Sequence, residues 1–194
     1  MKRIPPWISL IVLTSLLTIG IPSCGSSDYA AIRDIRQVII YDPVVNQSLA
    51  SPASTSSDSL VFIIWNEIDF FSLNQIHFSG TMSEAWAFEP ASPWLANEIS
   101  DIRVYSDQPM YGHPSHTNLS DQLKFGSSIN FQLSLDQFLK TLPHLGEDFD
   151  DSSIEEFQIF LNTKPQMGIY TFTIEIEDNN GHIFSANTIP INWI

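Results

Sequence analysis

Tyr170-Thr-Phe-Thr-Ile-Glu-Ile-Glu177, running into Asp178-Asn-Asn-Gly181, is the stretch on which the fold reading turns. Tyr170, Phe172, Ile174 and Ile176 alternate with Thr171, Thr173, Glu175 and Glu177. Unbroken period two marks a strand with one face in a core and the other in water. Asn180-Gly181 accepts positive φ, so Asp178 to Gly181 predicts a tight hairpin turn. The return strand is expected from His182 to Trp193, with Ile183, Ile189, Ile191 and Trp193 on one face.

Outward from this hairpin, β-like runs alternate with turn-rich links. Phe157, Ile159 and Leu161 alternate within residues 154–163, as do Ile129, Phe131 and Leu133 just upstream. Leu60-Val-Phe-Ile-Ile-Trp65 is apolar on both faces and reads as a central strand covered on each side. Residues 35–41, 99–105 and 76–82 complete the expected strands. Ser134 with Gln137 makes a capping-box start for a short helix over 135–142, stopped by Pro143 and Gly146. Asn118-Leu-Ser-Asp-Gln-Leu123 suits one helical turn. Seven or eight strands predict an all-β fold, a β-sandwich with one or two short helices in long connections.

The 165–193 segment resembles the end of an immunoglobulin-type domain, which implies an immunoglobulin-like antiparallel β-sandwich. Tyr170 sits where such domains place a tyrosine corner; an ordinary cross-strand aromatic is the alternative. The chain has 194 residues, 43% of them hydrophobic and 12% aromatic, too apolar and aromatic for a disordered polymer. One Cys excludes an internal disulfide and a Cys-rich zinc module. With 8 basic against 22 acidic residues the formal net charge is −14, which argues against nucleic acid as a partner.

The first residues form a different unit. Lys2 and Arg3 precede an uncharged apolar run from Ile4 to Pro22, the three-part shape of a secretory signal. Pro5, Pro6, Gly20 and Pro22 shorten any helix that would span a bilayer. Ile21-Pro22-Ser23-Cys24 resembles a bacterial lipobox, with an aliphatic residue three before the Cys and a small one just before it. The resemblance implies a signal peptide over 1–23 and acylation of Cys24, with several acyl chains (palmitate among them) giving firm membrane attachment. Residues 24–31 are then the lipidated N-terminus and a short tether, and 32–194 a single β-sandwich domain. The processed chain keeps 171 residues, with 6 basic against 22 acidic, a formal charge of −16.

Ala85-Trp-Ala-Phe-Glu-Pro90, Ile99-Ser-Asp-Ile-Arg-Val-Tyr-Ser106, His113, Asn118-Leu-Ser-Asp121 and the terminal hairpin resemble an uncharacterised lipoprotein family of Bacteroidota, over residues 30–194. That resemblance implies a lipid-anchored domain of the bacterial cell envelope, at the outer membrane, and supplies no catalytic residues.

Candidate chemistry is sparse. His113-Pro-Ser-His116 has metal-like spacing, but Pro114 disfavours the helix that would aim both rings one way. Asp148, Asp150 and Asp151, with Glu155 and Glu156 beyond, are a candidate calcium cluster or else a solvated acidic link. Glu84, Glu89 and Asp101 read as surface groups, not a glycosidase pair. Gly-x-Ser-x-Gly, Walker, dinucleotide and His-Glu-x-x-His motifs are missing from the sequence. Trp65 and Trp193 read as core; Trp86 and Trp94, beside Pro90 and Pro93, are the candidate ligand-contact residues, as aromatic platforms for sugar rings or as packing.

These features lead to a non-catalytic envelope lipoprotein held to the membrane through Cys24. It is expected to contact an unidentified protein or glycan partner through the 86–116 region and to need no cofactor. A glycan-binding or glycan-processing accessory protein using Trp86 and Trp94 is the first alternative, and a calcium-ordered adhesion module the second.

Overall fold

The computed structural model describes residues 28–72, 94–144 and 152–194. Cys24, Trp86, Asp148, Asp150, Asp151 and the expected 76–82 strand lie outside them. Two long strands, β1 (Asp28–Asp42) and β4 (Leu60–Ser72), form the antiparallel spine of the larger sheet. β2 (Gln47–Ser48) and β5 (Trp94–Leu95) flank β1 at its two ends. β9 (Glu156–Leu161), β7 (Lys124–Ser128) and β8 (Phe131–Leu133) continue the sheet beyond β4.

The second layer holds two three-stranded sheets. One is ordered β12 (Ile183–Asn187), β11 (Phe172–Asp178), β6 (Ile99–Ser106). The other is ordered β10 (Gly168–Tyr170), β13 (Ile191–Trp193), β3 (Ala53–Thr55). The fold is all-β and sandwich-like. Most pairings are antiparallel, and β1–β5 and β3–β13 are short parallel pairs.

The inward residues are those the alternation selects. Phe62, Ile64, Phe172, Ile174, Ile176, Ile191 and Trp193 share one buried cluster. Phe62 and Phe172 meet across the layers with ring centroids 5.0 Å apart, and Trp193 stands edge-on to Tyr170 at 5.5 Å. Such tilted contacts suit the ring quadrupoles. β4 is central, as its two-faced apolarity predicts: Leu60, Phe62 and Ile64 are buried on one face and Val61 on the other.

Both strands of the deciding hairpin change sheets partway along. The 170–177 run breaks at Thr171, where β10 ends and β11 begins. Ladder bonds are replaced there by side chains: the Phe172 amide donates to Thr188 Oγ1 at 3.0 Å, and the Thr171 amide to Asp107 Oδ1 at 2.8 Å. The return run breaks between β12 and β13 around Pro190, whose missing N–H cannot extend a ladder. Ile183 sits exposed on β12, contrary to the expected inward face, because Phe184 and Ala186 are the residues this strand packs against the core.

Three further differences emerge. β1 starts at Asp28, inside the expected tether, because Tyr29 and Ala30 already pair with β4 and β5. Residues 152–155 form one helical turn, so the strand expected from 154 begins at Glu156. Phe131 is exposed because β8 is the edge of its sheet, and Ile129 is exposed in the turn that precedes it.

The capping-box helix starts where expected and ends at Leu139, short of the expected 142. Ser134 caps helix α1 (Leu135–Leu139), with the Gln137 amide donating to Ser134 Oγ and the Ser134 amide to Gln137 Oε1. Phe138 of that helix packs between Phe125 and Phe157. A 3-10 turn forms at Ser120–Gln122. No helix among the described residues is long and apolar enough to cross a membrane.

Candidate functional site

Within the 86–116 region singled out for ligand contact, the described residues 94–116 are divided between the two ends of β6. Eight strand residues span roughly 26 Å at about 3.3 Å each. Trp94 precedes the first end; the loop from Asp107 to Ser115 follows the other.

At the first end a buried carboxylate organises the backbone. Asp178 accepts hydrogen bonds from the amides of Asn180 (2.8 Å) and His182 (2.9 Å) and from Asn97 Nδ2 (3.0 Å), with His182 Nδ1 3.1 Å away. Burial alone would raise its pKa, but the hydrogen bonds from Asn97, His182 and Asn180 outweigh that and bring it to about 2. Asn97 in turn accepts the Ile32 amide at 2.8 Å and donates to the Ile32 carbonyl at 3.0 Å, joining the hairpin turn to β1. Trp94 lies beyond this junction, 46% exposed.

The opposite end holds a cleft. Met110 and His113 exchange backbone hydrogen bonds of 3.0 and 2.9 Å, closing a two-residue turn. Tyr111 (φ 54°) and Gly112 (φ 82°) both occupy the left-handed region, as such a turn requires. For Tyr111 this conformation is uncommon, and backbone held in that region clusters at binding loops. Its hydroxyl donates to the Thr163 carbonyl at 2.7 Å, tying this loop to the 163–167 link. Burial pushes the Tyr111 phenol up to about 12, so it stays a protonated donor near neutrality. Lys164 Nζ donates to the carbonyls of Ser56 (3.3 Å) and Ile194 (2.9 Å).

Between these loops lies a cleft of about 510 Å³, bordered by Met110, Tyr111, His113, Lys164, Pro165 and Gln166. Pro109 and Gln166 also border a second hollow of about 440 Å³ that reaches Met167 and Tyr170. Both hollows have walls of mixed polarity, with Lys164, Gln166 and His113 beside Met110 and Pro165 at the first, which suits a small polar ligand or a polar side chain.

The sequence candidates fall in different places. His113 belongs to the cleft, whereas His116 sits at φ 60° on a separate turn, with its amide donating to the Ser106 carbonyl at 2.7 Å. Among the described residues no three His, Cys, Asp or Glu side chains gather as a metal site would need. Asp101 pairs with Arg103 at 3.6 Å. Trp193 is core, its indole donating to the Ser57 carbonyl at 3.3 Å, and Trp65 is half-buried. Tyr170 is a buried ring stacked with Phe172 and edge-on to Trp193. Trp86, Cys24, Asp148, Asp150, Asp151, Glu84 and Glu89 lie outside the described residues.

Sequence reasoning did not single out Tyr111 or Gly112. Gly after a residue flanked by chain-reversing neighbours was the available signal, but it does not report that Thr163 lies opposite. No protein-family model, curated protein or solved structure matches this chain.

Proposed function

We propose that the chain is a non-catalytic envelope lipoprotein, anchored through Cys24, that offers the 109–114/164–167 cleft as its contact surface. The supporting observation is polarity along the sandwich. β1 enters at Asp28, close in sequence to Cys24, and its far end at Asp42 meets Thr55 and Ser57 beside the strands that carry the cleft. Fifteen strand residues span roughly 50 Å, so an anchor at one end leaves the cleft well away from the bilayer. A rigid β scaffold with contact residues in end loops is a common binding arrangement.

The outer membrane of a Bacteroidota-type envelope is the proposed location, following the lipobox and family resemblances. Cys24→Ala should move the protein from the membrane to the soluble fraction, and mass spectrometry of the native product should show an acylated residue 24. A photo-crosslinker at Gln166 should capture an envelope component that one at Lys140, away from the cleft, does not. An unmodified thiol would end the anchor reading, and equal capture at both positions would end the cleft reading.

The glycan-binding alternative is favoured by one observation, the exposed indole of Trp94. Retention on a glycan array that disappears in Trp94→Ala would support it.

A further inference from the structure

We propose that Tyr29, Phe71 and Trp94 form a membrane-contacting row that seats the domain against the zwitterionic headgroup layer holding its anchor, an inference that rests on acylation of Cys24. The row follows from strand register. Tyr29 pairs with Phe71 across β1–β4 and with Trp94 across β1–β5, so the three side chains stand abreast on one sheet face. Tyr29 and Phe71 are stacked, centroids 5.8 Å apart and planes 17° apart. Adjacent strands lie about 4.8 Å apart, so the row is roughly 10 Å wide.

On β1 and β5 alternation turns this face away from the core; on β4 Phe70, which pairs with Ala30, is itself 64% exposed. Ala30 and Leu95, the next residues along β1 and β5, are 0% and 1% exposed, while Phe71 and Trp94 are 41% and 46% exposed. Open rings side by side are costly in water unless something covers them.

Distance and charge select the occupant. Tyr29 is five residues beyond Cys24, at most about 18 Å of extended chain. The interfacial zone is roughly 6 Å deep on each side of the hydrocarbon core. A row on so short a leash lies within reach of the headgroups, where Trp and Tyr rings with a polar edge are favoured. The Arg33–Asp69 pair, 3.3 Å apart on the same ribbon, leaves no basic excess to attract anionic lipid. A formal charge of −16 on the processed chain repels such lipid, so the matching surface is zwitterionic.

The test uses the processed, acylated protein reconstituted into phosphatidylcholine vesicles carrying a shallow nitroxide-lipid quencher. Flotation reads the anchor, and tryptophan quenching reads the row. Wild type should float and show a quenchable fluorescence component that is lost in Trp94→Phe, a change that keeps an aromatic ring at the site. Flotation with the same quenching in wild type and Trp94→Phe overturns the row while leaving the anchor standing. Failure to float overturns the anchor and the row with it. Glycan retention that depends on Trp94, with no Trp94 quenching, assigns the indole to sugar and overturns the row.

Discussion

Asn97 holds Asp178 through a 3.0 Å hydrogen bond while clasping both the amide and the carbonyl of Ile32. A side-chain amide thereby joins the terminal hairpin turn to β1, on the opposite layer of the sandwich. Asp178 is 1% exposed, and its charge is satisfied by donors from three other residues. Asp178→Asn keeps the shape but replaces an acceptor with a donor facing other donors. It should cost about 2 kcal/mol, read as a lower urea midpoint with unchanged m-value.

The same carboxylate gives stability a pH dependence. Its folded pKa of about 2 lies below the ordinary 3.8, so the unfolded chain binds the proton more readily. The contribution is therefore full above about pH 4 and is lost as pH falls toward 2. It amounts to roughly 2 kcal/mol at about 1.4 kcal/mol per unit. Asp42 acts in the same direction: burial would raise its pKa, but hydrogen bonds from Ser57, Thr55, Val45 and Val44 hold it below the usual range. Denaturant titrations from pH 5 to pH 2 should show stability falling, with a shallower fall in Asp178→Asn.

The seam at Thr171 rests on Thr188. Thr188→Val conserves volume but leaves the buried Phe172 amide without its 3.0 Å acceptor. A loss of about 1–3 kcal/mol is expected, the cost of an orphaned buried donor. Faster hydrogen exchange at Phe172 than at Ile174, inside the β11 ladder, would place the damage at the seam.

Gly126 faces β8 at very short range. A Cβ there would lie 1.9 Å from the Phe131 carbonyl oxygen, a backbone atom held by the β7–β8 hairpin. Gly126→Ala must part that hairpin and should destabilise by about 3 kcal/mol, whereas Phe131→Ala, on an exposed side chain, should cost well under that. Comparable melting temperatures for the two variants would contradict this geometry.

Much of the sandwich was legible because alternation is a local property. A residue's polarity and its neighbours two positions away report which side of a strand meets water. Phe172, Ile174 and Ile176 point inward for that reason, and Leu60 to Trp65 run through the middle of a sheet because both their faces are apolar. The Ser134–Gln137 capping box and the Asp178–Gly181 turn are also closed by residues within four positions of each other.

Long-range geometry decided the rest. Sequence could not show that β10 and β11 serve different sheets, because Thr171 breaks no polarity pattern; Asp107 and Thr188 create the seam from far along the chain. Ile129 falls in the turn before edge strand β8, Phe131 lies on that edge, and Ile183 is turned outward because β12 packs Phe184 and Ala186 against the core. Tyr29, Phe71 and Trp94 become neighbours through strand register, and Tyr111 meets Thr163 through loop packing. Local polarity selects each strand's buried face, whereas the pairing of distant strands selects which side chains meet, since that energy appears once the chain has closed on itself.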